Sequence, residues 1–383
     1  MARIRPTTPP ARRRRAALAA ALLATLPATA QEAAPAPVQD PAYLDAERMP
    51  RVGRSLLLDA HGAEGVVVAV GERGHVLRST DGTTWTQAER VPTRSTLTSV
   101  TAAGGQWWAA GHDGVILHSA DGGRTWTAQR VAPWSPDQAD PAEGIPLLDL
   151  HFDDAQRGVA VGAYSLRLVT GDGGATWIEA PAAIREDIAP PVAADPAADP
   201  VVDADGVDDS WLLDGDDLLL EDDADPHLNA VVRTGDGALV MVGERGSVLR
   251  SRDDGASWER LALPYGGSMF GVLAWEGDHI LAFGMRGRAF ESHDLGDTWR
   301  EVATGAGASL MGGAALPGGG AVLVGAQGTV AVRAAADAPF RVHTFVTDAG
   351  ETPTLAAVLP AAEGALLLFG EHGAAAFVPA AAR

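Results

Sequence analysis

The stretch Ser119-Ala-Asp121-Gly122-Gly123-Arg-Thr125-Trp126 is one of five versions of a short sequence, and these versions contain half of the ten tryptophans. The other four are Ser79-Thr-Asp81-Gly82-Thr-Thr84-Trp85, Thr170-Gly-Asp172-Gly173-Gly174-Ala-Thr176-Trp177, Ser251-Arg-Asp253-Asp-Gly255-Ala-Ser257-Trp258 and Ser292-His-Asp294-Leu-Gly296-Asp-Thr298-Trp299. We call these five stretches the Asp turns. An Asp carboxylate accepts hydrogen bonds from nearby backbone N–H groups, and Gly adopts positive φ, so each version predicts a tight turn. The flanking residues favour strands, which predicts β-hairpins whose exit strand carries the Trp.

A longer repeat surrounds the Asp turns. Upstream of each lies an apolar run that ends in Gly-x-x-Gly, as in Gly71-Glu-Arg-Gly74, although the second Gly is missing at Gly162-Ala-Tyr164-Ser165. Two further runs have no Asp turn, which makes seven, and the first Gly of each is Gly71, Gly111, Gly162, Gly243, Gly284, Gly325 or Gly370. Successive runs are 40 to 51 residues apart, except for one interval of 81. This spacing predicts an all-β fold, a seven-bladed β-propeller with four antiparallel strands per blade.

Blades six and seven depart from the pattern. In blade six Phe340 occupies the place of the Trp, and blade seven stops after its third strand at about residues 375–378. A propeller closes its ring so that no long strand edge stays exposed. We therefore expect the segment 43–50 to supply the missing outer strand of blade seven.

The long interval between blades three and four contains an acidic insertion, residues 181–226. It holds fifteen Asp or Glu residues and one Arg, together with many Pro and Ala. Its two apolar clusters are too few for a four-stranded blade, and they predict at most a short amphipathic helix at 211–221. The stretch from Asp203 to Asp209 resembles part of a calcium loop but lacks the bidentate Glu, so we do not expect a metal there.

The composition narrows the classes of function. The 383 residues include 50 acidic and 29 basic side chains, all of the latter Arg, and the net charge is −21. This charge argues against binding to nucleic acid or to anionic membranes as the main activity. No apolar run after the N-terminal region reaches the length of about 18 residues that spans a bilayer, so membrane insertion is not expected. There is no Cys, which removes disulfides and thiol chemistry.

The N-terminal residues have the three parts of a secretory signal peptide. Residues 12–15 are basic, 16–26 form an apolar core too short to span a bilayer, and 28–30 provide a small-residue cleavage site. We therefore expect a signal peptide at 1–30, a flexible leader at 31–41 and a propeller at 42–383. The expected location is the periplasm, reached through the general secretory route, and the expected state is a monomer.

The sequence gives little support for catalysis. A sialidase needs a Tyr nucleophile with a Glu partner, and none of Tyr43, Tyr164 and Tyr265 stands beside such a Glu. The ten His residues show no zinc-binding spacing, so neither a metal nor a cofactor is expected. Other glycosidases need only two carboxylates, which this acidic chain could supply, so a glycan-binding or glycoside-hydrolase propeller stays open as the alternative. The Asp and Trp residues of the Asp turns are interpreted as structural, namely Asp81, Trp85, Asp121, Trp126, Asp172, Trp177, Asp253, Trp258, Asp294 and Trp299.

The Gly-x-x-Gly turns offer the candidate binding residues. They link the second and third strands, so the topology places all seven on one face, together with the connections between blades. Three of them carry an Arg, which recognises carboxylates and other anions well. The candidate partner-binding residues are Arg73, His112, Asp113, Tyr164, Arg245, Arg286, Gln327 and His372.

Two segments carry a resemblance to a known family. They are the run from Leu56 to Leu77 and the run from Ala110 to His118, which accompany the Asp turns and the signal peptide. The Asp turns resemble the Asp-box, or sialidase-type, repeat. The whole resembles the photosystem II assembly and stability factor family, in particular its non-photosynthetic bacterial branch of periplasmic seven-bladed propellers. The resemblance implies a non-catalytic protein that binds a membrane protein or transporter complex, with Arg73, Arg245 and Arg286 as candidate contacts. The acidic insertion and the absence of Lys depart from that family.

Overall fold

A computed structural model describes residues 39–136, 142–185 and 225–380, all within one compact unit. The predicted signal peptide, most of the predicted leader, and the predicted helix and calcium-like loop of the insertion lie outside these residues. Among the described residues, no helix has the length and apolar character needed to span a membrane. Within the described ranges the helical elements are single 3-10 turns, at Pro41–Tyr43, Val52–Arg54, Glu72–Gly74, His112–Gly114, Ala163–Ser165, Glu244–Gly246, Met285–Gly287, Pro317–Gly319, Ala326–Gly328 and Ala362–Gly364.

The described strands form seven separate antiparallel sheets, each with its strands in chain order. Blades one and two contain β1 (Leu57–Ala63), β2 (Val66–Gly71), β3 (Val76–Ser79), β4 (Thr86–Gln87), β5 (Leu97–Ala103), β6 (Gln106–Gly111), β7 (Ile116–Ser119) and β8 (Thr127–Arg130). Blades three and four contain β9 (Leu147–Phe152), β10 (Gly158–Gly162), β11 (Arg167–Thr170), β12 (Ile178–Glu179), β13 (Leu228–Arg233), β14 (Leu239–Gly243), β15 (Val248–Ser251) and β16 (Glu259–Arg260). Blades five to seven contain β17 (Met269–Ala274), β18 (Ile280–Gly284), β19 (Ala289–Ser292), β20 (Arg300–Glu301), β21 (Leu310–Leu316), β22 (Gly320–Gly325), β23 (Thr329–Arg333), β24 (Arg341–Thr344), β25 (Leu355–Pro360), β26 (Leu366–Gly370) and β27 (Gly373–Phe377). The predicted seven-bladed β-propeller is thereby confirmed.

The hydrophobic core lies between the blades. One cluster joins Val68 and Val70 of blade one to Trp107 and Trp126 of blade two. Another closes the ring, because Leu57 of blade one packs with residues of blade seven that include Phe369. Burial of apolar surface between neighbouring sheets thus holds the ring together.

The first Gly of each Gly-x-x-Gly run allows a close backbone approach. At Gly71, a Cβ atom would lie 2.0 Å from the carbonyl oxygen of Leu56, which precedes β1. A Cβ atom on any of the other six Gly residues would lie 1.9 to 2.2 Å from the equivalent carbonyl oxygen. Each inner strand contains a register shift at the same place, opposite this Gly. The repeated Gly is therefore required by the approach of the second strand to the start of the inner strand.

Residues 43–50 do not form the expected outer strand of blade seven. The described part of this blade has three strands, β25, β26 and β27. The segment 43–50 instead lies along blade one, where the Ala46 N–H donates to the Val91 carbonyl at 2.8 Å and the Gln87 side chain bonds the backbone of Glu47 and Met49. The prediction was wrong because polar groups of blade one bind this segment, and the segment therefore does not reach the open edge of blade seven.

Candidate functional site

The turns between the second and third strands of the blades form one face of the ring, which we call the connection face. In each of the seven turns, the first N–H donates to the carbonyl of the residue that precedes the inner strand, at 2.9 to 3.1 Å. These turns therefore lie beside the connections between blades. The Asp turns follow the third strands and lie on the opposite face.

In six turns the central residue is not Gly and lies in the left-handed region. The six central residues are Arg73, Asp113, Tyr164, Arg245, Arg286 and Gln327, with φ between 53° and 58°, and in blade three Ser165 also has a φ of 57°. Such a conformation costs roughly 1 to 2 kcal/mol for a residue with a Cβ atom. It places the central side chain of each turn at the surface, where five of the six are exposed and Asp113 is half-buried.

The three candidate Arg residues are distributed around the ring. Arg245 and Arg286 lie on neighbouring blades, four and five, whereas Arg73 lies across the ring on blade one. All three are exposed. The guanidinium groups of Arg73 and Arg286 form no hydrogen bond or ion pair with any residue that the structure describes. These two cations are available to an incoming anionic group.

Other candidate residues of the connection face are tied to nearby loops. The Ser95 hydroxyl donates to Asp113 at 2.6 Å, and His372 lies 3.3 Å from a carboxylate oxygen of Glu351. Tyr164 packs edge-on against His227 at 4.9 Å and is 58% exposed. His112 and Gln327 are exposed. The structure thus puts all eight candidate residues on one face but does not gather them into a single cluster.

Two exposed aromatic side chains on this face were not predicted. Tyr43 and Trp134 are each 63% exposed and line a cavity of about 600 Å³ that also includes Arg130 and Glu143. Tyr43 is the first residue of the segment 43–50, which lies along blade one, and Trp134 lies in the loop after β8. The only signal in the sequence was a Trp within a Pro-rich loop, and it does not distinguish an exposed ring from a buried one.

The five Asp turns share one hydrogen-bond pattern. The first Ser or Thr hydroxyl donates to the Asp carboxylate at 2.7 to 3.0 Å, and the carboxylate accepts the N–H of the Ser or Thr that precedes the Trp at 2.6 to 2.9 Å. The backbone hydrogen bond from Thr176 is the main cause that lowers the pKa of Asp172 to about 2. Each Trp packs against the preceding blade, as Trp85 does against Phe369 at 5.5 Å. These turns therefore join neighbouring blades.

The central channel contains a pair of carboxylates on one side. Asp59 accepts the N–H of Val100 in the next blade at 2.8 Å, and Asp149 accepts that of Val231 at 2.8 Å. The Ser99 hydroxyl donates to Asp149 at 2.8 Å. These side chains line a cavity of about 340 Å³ and connect the inner strands of blades one to four. The equivalent positions in the other blades are small residues, namely Ala230, Gly271, Gly312 and Ala357.

Burial in the channel wall disfavours the charged form of both carboxyl groups. It raises the pKa of Asp59 to about 7, and the nearby charge of Asp149 acts in the same direction, whereas the N–H of Val100 opposes the increase. Burial also raises the pKa of Asp149. Near neutral pH the pair therefore carries less than its full negative charge.

A second polar cluster lies between blades five and six. Glu291 is fully buried and accepts hydrogen bonds from His279, Arg300 and Arg333, each at 2.8 Å, and His293 stacks on His279. The two His and the Glu come close enough to hold a metal ion. Burial alone would raise the pKa of Glu291, but the Arg333 and His279 hydrogen bonds outweigh it and lower the pKa. Since two guanidinium groups already neutralise the carboxylate, the cluster is suited to an ion-pair network and poorly suited to a cation.

Comparison with known proteins gives similarity in fold alone. No protein-family model and no curated protein matches the sequence. A solved structure of YCF48 bound to a D1 peptide superposes with a TM-score of 0.59 at 15% identity, and covers 90% of this chain and 97% of its own. YCF48 from Cyanidioschyzon merolae gives a TM-score of 0.57 at 17% identity, and covers 87% of this chain and 97% of its own. The WD40 propeller domain of Doa1 also gives 0.57, at 10% identity, and covers 86% of this chain and 93% of its own. The chain is therefore similar in fold to YCF48, a photosystem II assembly factor, over nearly the full length of both chains, which confirms the resemblance that the sequence predicted.

Proposed function

We propose that this chain is a non-catalytic, monomeric propeller of the periplasm that binds a protein partner through its connection face. The partner is a membrane protein complex or transporter, whose assembly or function the propeller assists. The observation that carries this proposal is the connection face itself, where the backbone places Arg73, Arg245 and Arg286 at the surface in left-handed turns. Arg guanidinium groups bind carboxylates in a defined geometry, which suits recognition of acidic groups on a protein.

The fold comparison supports a binding role. In one of the similar structures, YCF48 has a bound peptide from the protein D1. Propellers of this shape host many unrelated functions, so the argument for this chain rests on its own face. That face combines exposed Arg residues with exposed aromatic rings at Tyr43, Trp134 and Tyr164, and both residue types are enriched in protein interfaces.

The alternative, a glycan hydrolase or glycan-binding propeller, has one observation in its favour. Asp59 and Asp149 form a carboxylate pair in the central channel. Their oxygens, however, accept backbone N–H groups of the neighbouring blades. The exposed aromatic side chains, which would stack on sugar rings, line other cavities on the connection face. The carboxylates and the aromatic rings that a glycan site would need thus lie in different cavities. The carboxylate pair instead connects neighbouring blades through hydrogen bonds.

A pull-down with matched variants tests the binding role. Residues 31–383 would be incubated with detergent-solubilised membranes of the host and compared with the triple variant Arg73→Ala, Arg245→Ala, Arg286→Ala. The control is the triple variant Arg124→Ala, Arg157→Ala, Arg252→Ala, which removes the same charge from exposed positions on the opposite face. We expect one membrane protein to be retained by the wild type and the control and lost by the first variant. Recovery of no membrane protein, or equal loss in both variants, would contradict the proposal.

The periplasmic location has its own test. We propose that residues 1–30 direct export and are removed, so that the mature protein begins at Gln31. Fractionation of the host followed by mass spectrometry of the N-terminal peptide would check this. A protein that keeps Met1 and stays in the cytoplasmic fraction would contradict it.

A further inference from the structure

Among the residues that the structure describes, blade seven has no outer strand, and this leaves a strand edge of unusual length. The third strand, β27, has five residues and no neighbour on its outer side among the described residues. The outer strands of the other blades have two to four residues. Natural sheets keep exposed edges short because unpaired N–H and C=O groups bind other strands. The edge of β27 is thus the best template for strand addition in the described part of the ring.

The residues around Gly53 take the place of the connection that follows an outer strand, but they do not supply the outer strand of blade seven. A Cβ atom on Gly373 would lie 2.0 Å from the carbonyl oxygen of Gly53. In blade four, Gly246 has the same relation to Tyr265, which follows that blade's outer strand. Gly53 therefore occupies the position of a residue that follows an outer strand. The residues from 39 to 50 turn away to blade one, and no described residue occupies the place of the strand itself.

A cleft of about 810 Å³ runs along this edge. Four consecutive residues of β27, Gly373 to Ala376, line it. Because neighbouring side chains of a strand point to opposite faces, a cleft that touches four in a row borders the edge of the strand. Val346 from the preceding connection forms part of the wall and is 52% exposed. The space therefore offers backbone pairing and an apolar contact together.

Charged residues line the end of the cleft on the connection face, and they include Asp348, Glu351 and Glu371 as well as Arg54. Arg54 lines the cleft, and Arg51 stands three residues before it. Both are exposed, and their guanidinium groups form no hydrogen bond or ion pair with any described residue. An outer strand runs antiparallel to β27, so its carboxyl end would lie near these groups. In three other blades an acidic residue ends or follows the outer strand, namely Glu89, Glu179 and Glu301.

We propose that blade seven is completed by an extended segment of a partner protein, which adds to β27 as the fourth strand and places an acidic residue beside Arg54. Main-chain hydrogen bonds would provide affinity and side-chain contacts would provide selectivity, as in other cases of strand addition. This proposal deepens the proposed function and rests on it. The partner segment would bind at β27, at a place separate from Arg73, Arg245 and Arg286.

A surrogate strand from the chain itself provides the probe. The peptide Thr-Thr-Trp-Thr-Gln-Ala-Glu has the sequence of residues 83–89, which include the outer strand of blade one and end in an acidic residue. It would be labelled with fluorescein at its amino end and amidated at its carboxyl end, so that Glu is its one acidic residue. Its binding to residues 31–383 would be followed by fluorescence anisotropy.

Charge reversal tests the predicted orientation. Replacing the Glu of the peptide by Lys should weaken binding to the wild type about tenfold, which corresponds to about 1.4 kcal/mol. The Arg54→Glu variant should restore binding of the Lys peptide, whereas Arg252→Glu on the opposite face should not. Absence of measurable binding by the original peptide, or rescue by both variants, would overturn the proposal.

Backbone methylation tests strand addition directly. Alternate N–H groups of a strand point to the same neighbour. One of two peptides, methylated either on the second and fourth amide nitrogens or on the third and fifth, should therefore lose affinity while the other keeps it. Equal affinities would contradict pairing with an edge. Among Ala374 to Ala376, hydrogen exchange should be fast in the free protein only at the N–H groups that do not bond β26, and the peptide should protect those groups. Slow exchange at all three before peptide is added would mean that the edge is already occupied. These results concern a purified peptide, so they are distinguishable from failure of the pull-down.

Discussion

Blades five and six are neighbours with the same strand order, but they connect their third and outer strands by different chemistry. In blade five, Asp294 accepts the N–H and the hydroxyl of Thr298, at 2.8 and 2.6 Å, and accepts the Ser292 hydroxyl at 2.7 Å. In blade six, the same spacing places Ala335 at the Asp position and Pro339 at the Thr position. Pro has no N–H, so the blade has lost both the acceptor and the donor that it would bind.

The position that corresponds to Ser292 provides a different contact in blade six. Arg333 occupies it, with only 1% of its side chain exposed. Its guanidinium donates to the Gly319 carbonyl at 2.9 Å and to Glu291 of blade five at 2.8 Å, and it lies 5.1 Å from the ring centre of Phe340. A local turn has thus been replaced by an ion pair between blades. A repeat can therefore lose its signature residues while the ring stays closed.

The largest expected effect follows from removal of the buried cation. Arg333→Met leaves Glu291 buried without its most enclosed partner, which typically costs about 3 to 5 kcal/mol of unfolding free energy. Denaturant unfolding would measure it. The matched control is Arg300→Met, because Arg300 bonds the same carboxylate but is 69% exposed. Since the Arg300 side chain is largely solvated, its loss should cost at most about 1 kcal/mol. Equal losses in the two variants would contradict our interpretation.

The pH dependence of the Arg333→Met variant sharpens this expectation. In the wild type the pKa of Glu291 is lowered, so its contribution is present above the unfolded pKa, ordinarily 4.5, and is lost as the pH falls through the folded value. In the variant, burial should raise that pKa, so the variant loses stability as the pH rises from about 4.5. The difference between the two proteins should therefore be largest at neutral pH and shrink towards pH 4. A difference that does not vary with pH would show that lost packing, and not charge, explains the effect.

The fold could be predicted because its turns repeat. The Asp turns and the paired Gly residues recur in up to seven copies. Each copy indicates the same local backbone geometry, such as the close approach of Gly71 to the Leu56 carbonyl. The one failure concerned the segment 43–50, which occurs once. Its place depends on tertiary competition with Gln87, and no pattern within the segment reveals that contact.

The candidate site was less accessible to prediction. Topology was enough to place Arg73, Arg245 and Arg286 on one face, because turns alternate between the two faces of a blade. The topology could not show that Asp59 and Asp149 accept hydrogen bonds from the backbone of neighbouring blades. The inner strands that contain Asp have the same sequence pattern as those with Ala or Gly at that position. Nor could the topology show that Arg333 is buried, because a single Arg after an apolar strand is usually exposed.

A medium effect is expected from the turn of blade five. Asp294→Ala removes a carboxylate that accepts hydrogen bonds from three donors, and loss of such a cap typically costs about 1 kcal/mol. The hydrogen bonds of Thr298 and Ser292 overcome burial and lower the pKa of Asp294 to about 2. Its contribution is therefore present above about pH 4 and lost as the pH falls towards 2. Thermal unfolding of the wild type and the variant should differ at pH 7 and converge near pH 2. The control is Asp337→Ala in blade six, an exposed residue whose loss should change little.

The smallest expected effect comes from returning the lost carboxylate to blade six. Ala335→Asp alone should change the unfolding free energy by less than about 0.5 kcal/mol, because Pro339 offers no N–H and Arg333 offers no hydroxyl. Adding Pro339→Thr supplies both an N–H and a hydroxyl to the new carboxylate. The double variant should therefore be more stable than the sum of the two single changes, and a double-mutant cycle in denaturant would measure this coupling. Strict additivity would mean that the backbone of blade six no longer adopts the form of the Asp turns, and that the ion pair to blade five replaced their geometry as well as their chemistry.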